Sequence, residues 1–214
     1  MNRQNKKESI AELHRKTILQ AAEQIFLEKG FSAATIDDIS KASQYSRRTL
    51  YIYFDGKEDI LYHIILNGLI ALKENLFKGI SENTDFLEQY KAICIAMKKY
   101  HESSPQSFDS VNQAKNKEFD FNALPEVVIR ILAIGTEINA VLADYIESGK
   151  KRGIVRPDTK PMQTVYVMWA SISSLLSMVQ NKGEFLKKEF STTKDDFLEY
   201  GFKQIINSIL EERI

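Results

Sequence analysis

Only one cysteine, Cys94, stands in 214 residues, so no disulfide can form within the chain and a reducing compartment is expected. Its neighbours Ile93, Ile95, Ala96 and Met97 mark it as a small apolar core residue rather than a redox sensor. The histidines His14, His63 and His101 are too scattered for a metal site by spacing. No glycine-rich phosphate loop follows a strand, so neither metal nor cofactor is expected. Net charge is missing as well: Lys and Arg total 29, and Asp and Glu total 29. That balance excludes a protein that coats nucleic acid indiscriminately, but it leaves room for a local basic patch. No apolar run is long enough to cross a bilayer; the most apolar, Val165 to Val179, holds four serines. The first nine residues are polar in character, without the apolar centre of a secretory signal. A cytoplasmic protein with no membrane partner is the expectation. Strand alternation is absent too: beyond Gly79 every segment has helical periodicity, which makes the fold class all-α.

What is present concentrates between Thr35 and Leu61. Thr35 with Asp38 three residues on has the form of a capping box, so a helix is expected from Ile36, with Ile39 and Ala42 or Ser43 at helical spacing. The pattern breaks at Gln44 and Tyr45. Ser46 can cap a second helix, Arg47 to Tyr53, anchored inward by Leu50 and Phe54. Asp55-Gly56 is a turn signal, and a further helix begins near Lys57. Helix, short turn, helix reads DNA when the second helix carries groups that reach base edges. Arg47 and Arg48 can each grip a guanine with two parallel bonds, while Ser46, Thr49, Tyr51 and Tyr53 carry hydroxyls suited to phosphate oxygens. The same spacing also describes a plain helical corner with a solvated basic face.

The residues themselves add more. Thr35, Ile39, Ala42, Ser46, Thr49, Leu50, Tyr51, Tyr53, Phe54, Lys57, Glu58 and Leu61 resemble, in order and spacing, the helix-turn-helix of the TetR family of transcriptional regulators. The helix before them, Arg15 to Phe31, is similar to that family's first helix, and the resemblance covers roughly residues 12–72. Gln44 stands where the family usually has Gly in the turn, Tyr45 where it has Val, and Arg48 where it has a small residue before the Thr. The resemblance implies double-stranded operator DNA as partner, contacted by Thr35, Ser46, Arg47, Arg48, Thr49, Tyr51, Tyr53 and Lys57. It also implies a homodimer formed through the last two helices, and repression as the sign of regulation.

Along the chain, residues 1–9 are expected to be a flexible arm, 10–56 a three-helix DNA-binding domain with its motif at 35–54, and 57–214 a helical ligand-binding and dimerisation domain. The first helix presents Ile18, Ala21, Ala22, Ile25 and Phe26 on one face and stops at Gly30. The helix over 57–79 connects the two domains. Further helices are expected over 83–101, in a short stretch after Pro105, in an apolar and centrally buried helix from Pro125 to about Lys151, over 162–180, and from Thr193 onward. Nine helices, in round terms, result. Ala170, Ser171, Ser173, Ser174, Ser177 and Gly201 would let the last two helices approach closely, with Leu176, Ile205 and Ile209 as interface candidates.

A regulator of this build needs a sensing site. Tyr90, Met97, Phe121, Tyr145, Tyr166 and Trp169 are bulky, apolar and partly hydroxylated, which suits a mostly apolar small molecule of unknown identity; each is also an ordinary core residue type. No catalytic constellation is visible: Asp37-Asp38 and Asp195-Asp196 sit at expected helix starts, where carboxylates offset the helix dipole. The competing readings are a helical protein-binding adaptor, which predicts no sequence-selective DNA binding, and an enzyme acting on an apolar small molecule, which predicts turnover.

Overall fold

The structure, a computed structural model, describes residues 3–113 and 124–211. It is all-α: α1 (Arg3–Lys29), α2 (Ile36–Ser43), α3 (Arg47–Tyr53), α4 (Lys57–Ser81), α5 (Phe86–Ser103), α6 (Pro105–Gln113), α7 (Glu126–Lys151), α8 (Pro161–Phe190) and α9 (Lys194–Asn207). Among the described residues the one extended pairing is an isolated antiparallel bridge between Val155 and Leu210. There, Arg156 N–H donates to the Ile209 carbonyl at 3.0 Å and Glu211 N–H to the Ile154 carbonyl at 2.9 Å, which ties the end of the chain to the α7–α8 linker.

Two compact units divide the chain, one from Met1–Leu69 with Ser104–Ile131, the other from Ile70–Ser103 with Leu132–Ile214. The first unit closes on Ile18, Ala22, Phe26, Ala34, Ile39, Leu50, Phe54, Ile60 and Ile64, all buried. Each of the Ile, Leu and Phe side chains among them contributes on the order of 1.5–3 kcal/mol through burial. α6 belongs to this unit rather than to the C-terminal one: Phe108 is buried, and the Ser107 hydroxyl donates to the Ile65 carbonyl at 3.2 Å. A boundary at residue 57 therefore does not describe the packing, because α4 supplies core residues to this unit as far as Leu69.

The second unit buries Phe86, Tyr90, Ile93, Cys94, Met97 and Tyr100 from α5, and Val165, Met168, Ile172, Leu176 and Val179 from α8. Tyr145 of α7 stacks on Phe86, with ring centroids 4.4 Å apart, and donates its hydroxyl to the Phe86 carbonyl at 3.0 Å. A Cβ at Gly149 would lie 2.5 Å from the Phe86 ring, so only glycine lets α7 approach α5 at that level.

Three expectations change. Residues 3–9 are not outside the first helix: α1 begins at Arg3, since neither proline nor glycine interrupts the chain before Gly30. α7 is not centrally buried; Ile129 and Leu132 face solvent, and its buried residues lie at Val127, Val128, Ile138, Tyr145 and Ile146. The break expected after Gln180 is a kink at Lys182 (φ −123°, ψ 17°), after which α8 continues to Phe190. No proline stands there to stop it, and a buried Gly183 fits against the Lys194 side chain. With that extension α8, like α4, is long and apolar enough by composition to cross a membrane; the inward stripe of each packs in the folded units.

Candidate DNA-reading helix and sensing cavities

α2 starts where its local chemistry dictates. The Thr35 hydroxyl accepts from Asp38 N–H at 3.2 Å and the Asp38 carboxylate accepts from Thr35 N–H at 3.0 Å, a reciprocal cap. Lys29 Nζ adds an ion pair to Asp38 at 2.6 Å. Those bonds, from Lys29 first and then Thr35, hold the Asp38 carboxyl down at about 2. Gln44 ends α2 in the left-handed region (φ 59°, ψ 18°), and its N–H returns to the Lys41 carbonyl. A glycine would enter that conformation without a Cβ penalty; glutamine carries the cost, and the turn keeps its shape. Ser46 then caps α3 by accepting from Thr49 N–H at 3.1 Å.

Capping and core anchoring decide which faces of α3 are free. Leu50 and Phe54 are buried, and Tyr53 is half-buried. The Tyr53 hydroxyl meets His14 Nδ1 at 2.9 Å, and Arg15 lies over its ring. Arg47 is ion-paired with Asp37 of α2. Lys57 is directed inward: its Nζ donates to the Phe31 and Ala34 carbonyls at 2.8 and 2.9 Å and sits over the Phe31 ring. The hydroxyls of Thr35, Ser46 and Thr49 are engaged in capping. Of the expected DNA-contacting set, Arg48 and Tyr51 point to solvent without an intramolecular polar partner among the described residues. Beside them stands Ile52, 67% exposed, which sequence reasoning passed over. Its signal was an apolar residue on the helix face opposite Leu50, where burial cannot explain it.

The expected sensing residues do not form one cluster. Met97, Tyr145 and Trp169 come together, with Ile93, Leu142, Ile146, Val165, Met168 and Ile172, around a void of about 20 Å³. That is room for about one water molecule. Tyr166 is exposed on the outer face of α8, away from this cluster. Tyr90 lines a different and far larger cavity, of about 540 Å³, between α5 and α9. Phe121 lies outside the described residues. Burial raises the Tyr90 and Tyr145 phenols well above their ordinary range and pushes the Cys94 thiol up to about 12, so none is ionised near neutrality. Cys94 is thereby poorly suited to thiolate chemistry.

The expected interface residues are also redistributed. Leu176 and Ile209 are buried within the chain and offer no surface to a partner, and Ile205 is half-buried. Leu176 faces inward because it shares its helical stripe with Ile172 and Val179. The apolar side chains that α8 and α9 expose are Met162, Tyr166, Val167, Met178, Phe185 and Tyr200, with Phe190 at the end of α8. Gly201 lets α9 lie on Leu175 of α8, where a Cβ would come within 2.5 Å. The small residue there thus serves packing inside one chain.

Comparison with known proteins agrees with this geometry. The pattern of the family described as "Bacterial regulatory proteins, tetR family" matches residues 18–64, from the middle of α1 through α2 and α3 into α4. YhgD of Bacillus subtilis, an uncharacterized HTH-type transcriptional regulator, is 26% identical over 157 residues, 72% of this chain and 78% of YhgD. The HTH-type transcriptional repressor NicS of Pseudomonas putida is 25% identical over 162 residues, 76% of this chain and 74% of NicS. Among solved structures, the regulator FadR from Bacillus subtilis in complex with stearoyl-CoA shares the fold, with a TM-score of 0.70 at 15% identity over 91% of this chain and 98% of that one.

Proposed function

We propose, for a chain that belongs to the tetR family of bacterial regulatory proteins and is a DNA-binding transcriptional regulator, that it is a cytoplasmic homodimeric repressor released from a near-palindromic operator by a small, mostly apolar effector. The observation that carries this reading is the solvent face of α3. Arg48, Tyr51 and Ile52 project from a helix whose opposite side, Leu50 and Phe54, is locked into the core. Arg48 reads a guanine edge, and Ile52 offers apolar contact to a thymine methyl. Tyr51 and Tyr53, with the capped starts of α2 and α3 at Thr35, Ser46 and Thr49, lie against phosphates. Arg47 joins them by exchanging Asp37 for DNA. Lys57 acts indirectly, by fixing the α1–α2 loop through its three carbonyl bonds. Repression is supported by relatives such as NicS, named as a repressor. Release by an effector is supported by FadR, whose structure holds stearoyl-CoA.

Pairing of two copies through the exposed apolar side chains of α8 and α9 would set two α3 helices about one DNA turn apart, or a multiple of it, and so require the near-palindrome. Glutamates placed together at Tyr166 and Tyr200, both 62% exposed, are expected to yield folded monomers in sedimentation that have lost tight operator binding. A variant that stays dimeric places the interface elsewhere. α4 is the transmitting element, since its residues enter both units. An effector that lowers operator affinity tenfold needs about 1.4 kcal/mol of coupling, and operator must weaken effector binding by the same factor. The deciding experiment is selection of bound fragments from random DNA, read by sequencing. Enrichment of an inverted repeat is expected; equal affinity for selected and random DNA would remove the assignment.

A further inference from the structure

We infer that His14 is a positioning residue for DNA that acts through Tyr53: its imidazole donates a hydrogen bond to the Tyr53 oxygen and so turns that phenol's single proton outward, toward a backbone phosphate. The inference rests on the regulatory reading above, which sets Tyr53 against phosphates. His14, Ile18, Ala22 and Phe26 follow one another at four-residue spacing and share one face of α1. Ile18, Ala22 and Phe26 are buried in the core of the first unit. An apolar side chain would continue that stripe, yet a half-buried imidazole stands at its end. Its polar atom is engaged across 39 residues, with Nδ1 2.9 Å from the Tyr53 hydroxyl.

The imidazole is held from both ends of α3. Tyr45, in the turn before α3, packs on it with ring centroids 4.8 Å apart. Tyr53, the last residue of α3, meets it edge-on at 5.7 Å. Tyr45 is itself fixed in the turn: its carbonyl accepts from the Ser40 hydroxyl at 2.6 Å, and its N–H donates to the Ser43 oxygen at 3.4 Å. One side chain of α1 thus touches the reading helix at its start and at its end. Arg15, the next residue, is exposed and holds its guanidinium 5.3 Å from the centre of the Tyr53 ring. It has no ion-pair partner among the described residues. A cation without a carboxylate beside the phenol favours an anion there, and phosphate is the anion that DNA supplies.

The direction of the His14–Tyr53 bond follows from counting protons. The oxygens of a backbone phosphate only accept, and a phenol has one proton to give. Were Tyr53 to give it to Nδ1, the phenol would turn lone pairs toward an anion. With the proton on Nδ1, the Tyr53 oxygen accepts from the imidazole and its own O–H is free for the phosphate. A phenol tied at its oxygen in this way has its O–H aimed before DNA arrives, which lowers the ordering cost of the contact. Phosphates are common to all sequences, so His14 sets affinity and not base preference.

The test compares two amides of different reach at position 14. His14→Asn ends where Nδ1 stood and keeps an N–H for Tyr53; His14→Gln ends nearer the place of Nε2 and does not. Affinity of the full-length protein for the operator selected with wild type, and for a random duplex, is measured by fluorescence anisotropy. Tyr53→Phe and the double variant His14→Gln/Tyr53→Phe complete a cycle. His14→Gln and Tyr53→Phe are each expected to weaken binding at least about fivefold, by the same factor on both duplexes. His14→Asn should stay within about twofold of wild type, and the double variant within about twofold of Tyr53→Phe alone. Wild-type affinity in His14→Gln, equal losses in the two amides, losses that multiply in the double variant, or a loss confined to the operator each overturns the inference. With wild type bound tightly to its operator, those results leave the regulatory reading intact. Failure of the selection to enrich any operator removes both.

Discussion

The helix-turn-helix and the α5–α9 cleft are built by opposite means. α2 and α3 are specified by partners three residues apart: Thr35 with Asp38, and Ser46 with Thr49. The cleft depends on Tyr90 reaching Phe202 across 112 residues and Lys98 reaching Asp195 across 97. The first kind of bond forms as soon as the chain turns. The second exists only when the unit has closed. Local rules place the starts of α2 and α3, whereas the faces they leave free, like the walls of a cavity, follow from how distant segments meet.

The comparison breaks most easily at its largest expected effect. Leu50 anchors α3 in the core at 1% exposure, and Leu50→Ala should cost about 2–5 kcal/mol. Denaturant unfolding followed by circular dichroism measures it; a loss well below that range would mean that capping alone holds the reader in place. Next is Arg48→Ala, where folding should be untouched and operator affinity should fall by about 1–3 kcal/mol, with relaxed preference at one base position. Binding to a panel of single-base operator variants reads this directly. Uniform weakening across the panel would make Arg48 a phosphate contact instead.

A matched pair sharpens the contrast between near and far bonds. Thr35→Ala removes a cap and Tyr90→Phe removes a long-range donor, and each should cost about 1 kcal/mol. The near bond should matter to DNA binding and the far one should not, so operator titration should separate two variants that denaturant unfolding ranks alike.

The smallest effect is electrostatic. The Asp38 carboxyl sits at about 2, against about 3.9 in an unfolded chain. A depressed carboxylate stabilises the fold above its unfolded value and loses that contribution as pH falls through its folded one. The stability gap between wild type and Asp38→Asn should therefore be full near neutrality and shrink from about pH 4 toward pH 2. A gap that is flat with pH would assign the role of Asp38 to hydrogen bonding alone.

Legibility followed the same division. Thr35, Ser46, Leu50 and Phe54 occupy the positions that capping and periodicity expect of them. Side-chain direction was harder to read. Lys57 carries the charge of a phosphate contact, yet it spends that charge on the Phe31 and Ala34 carbonyls, a pairing across more than twenty residues. Arg47 and Arg48 are adjacent and alike in sequence; only the position of Asp37 on α2 separates them. Apolar character could not tell Leu176, buried, from Tyr166, exposed, because both lie on a helix that is apolar nearly all round.

The sequence by itself determined an all-α chain with a helix-turn-helix between Thr35 and Phe54, because caps, stops and apolar spacing are relations within a few residues and need no partner. Tertiary structure alone decided that Met97, Tyr145 and Trp169 fill a core, and that Tyr90, some hundred residues from its partner on α9, lines a cleft instead. Whether an aromatic side chain borders a void depends on the distance between two packed helices, and no residue's own chemistry states that distance.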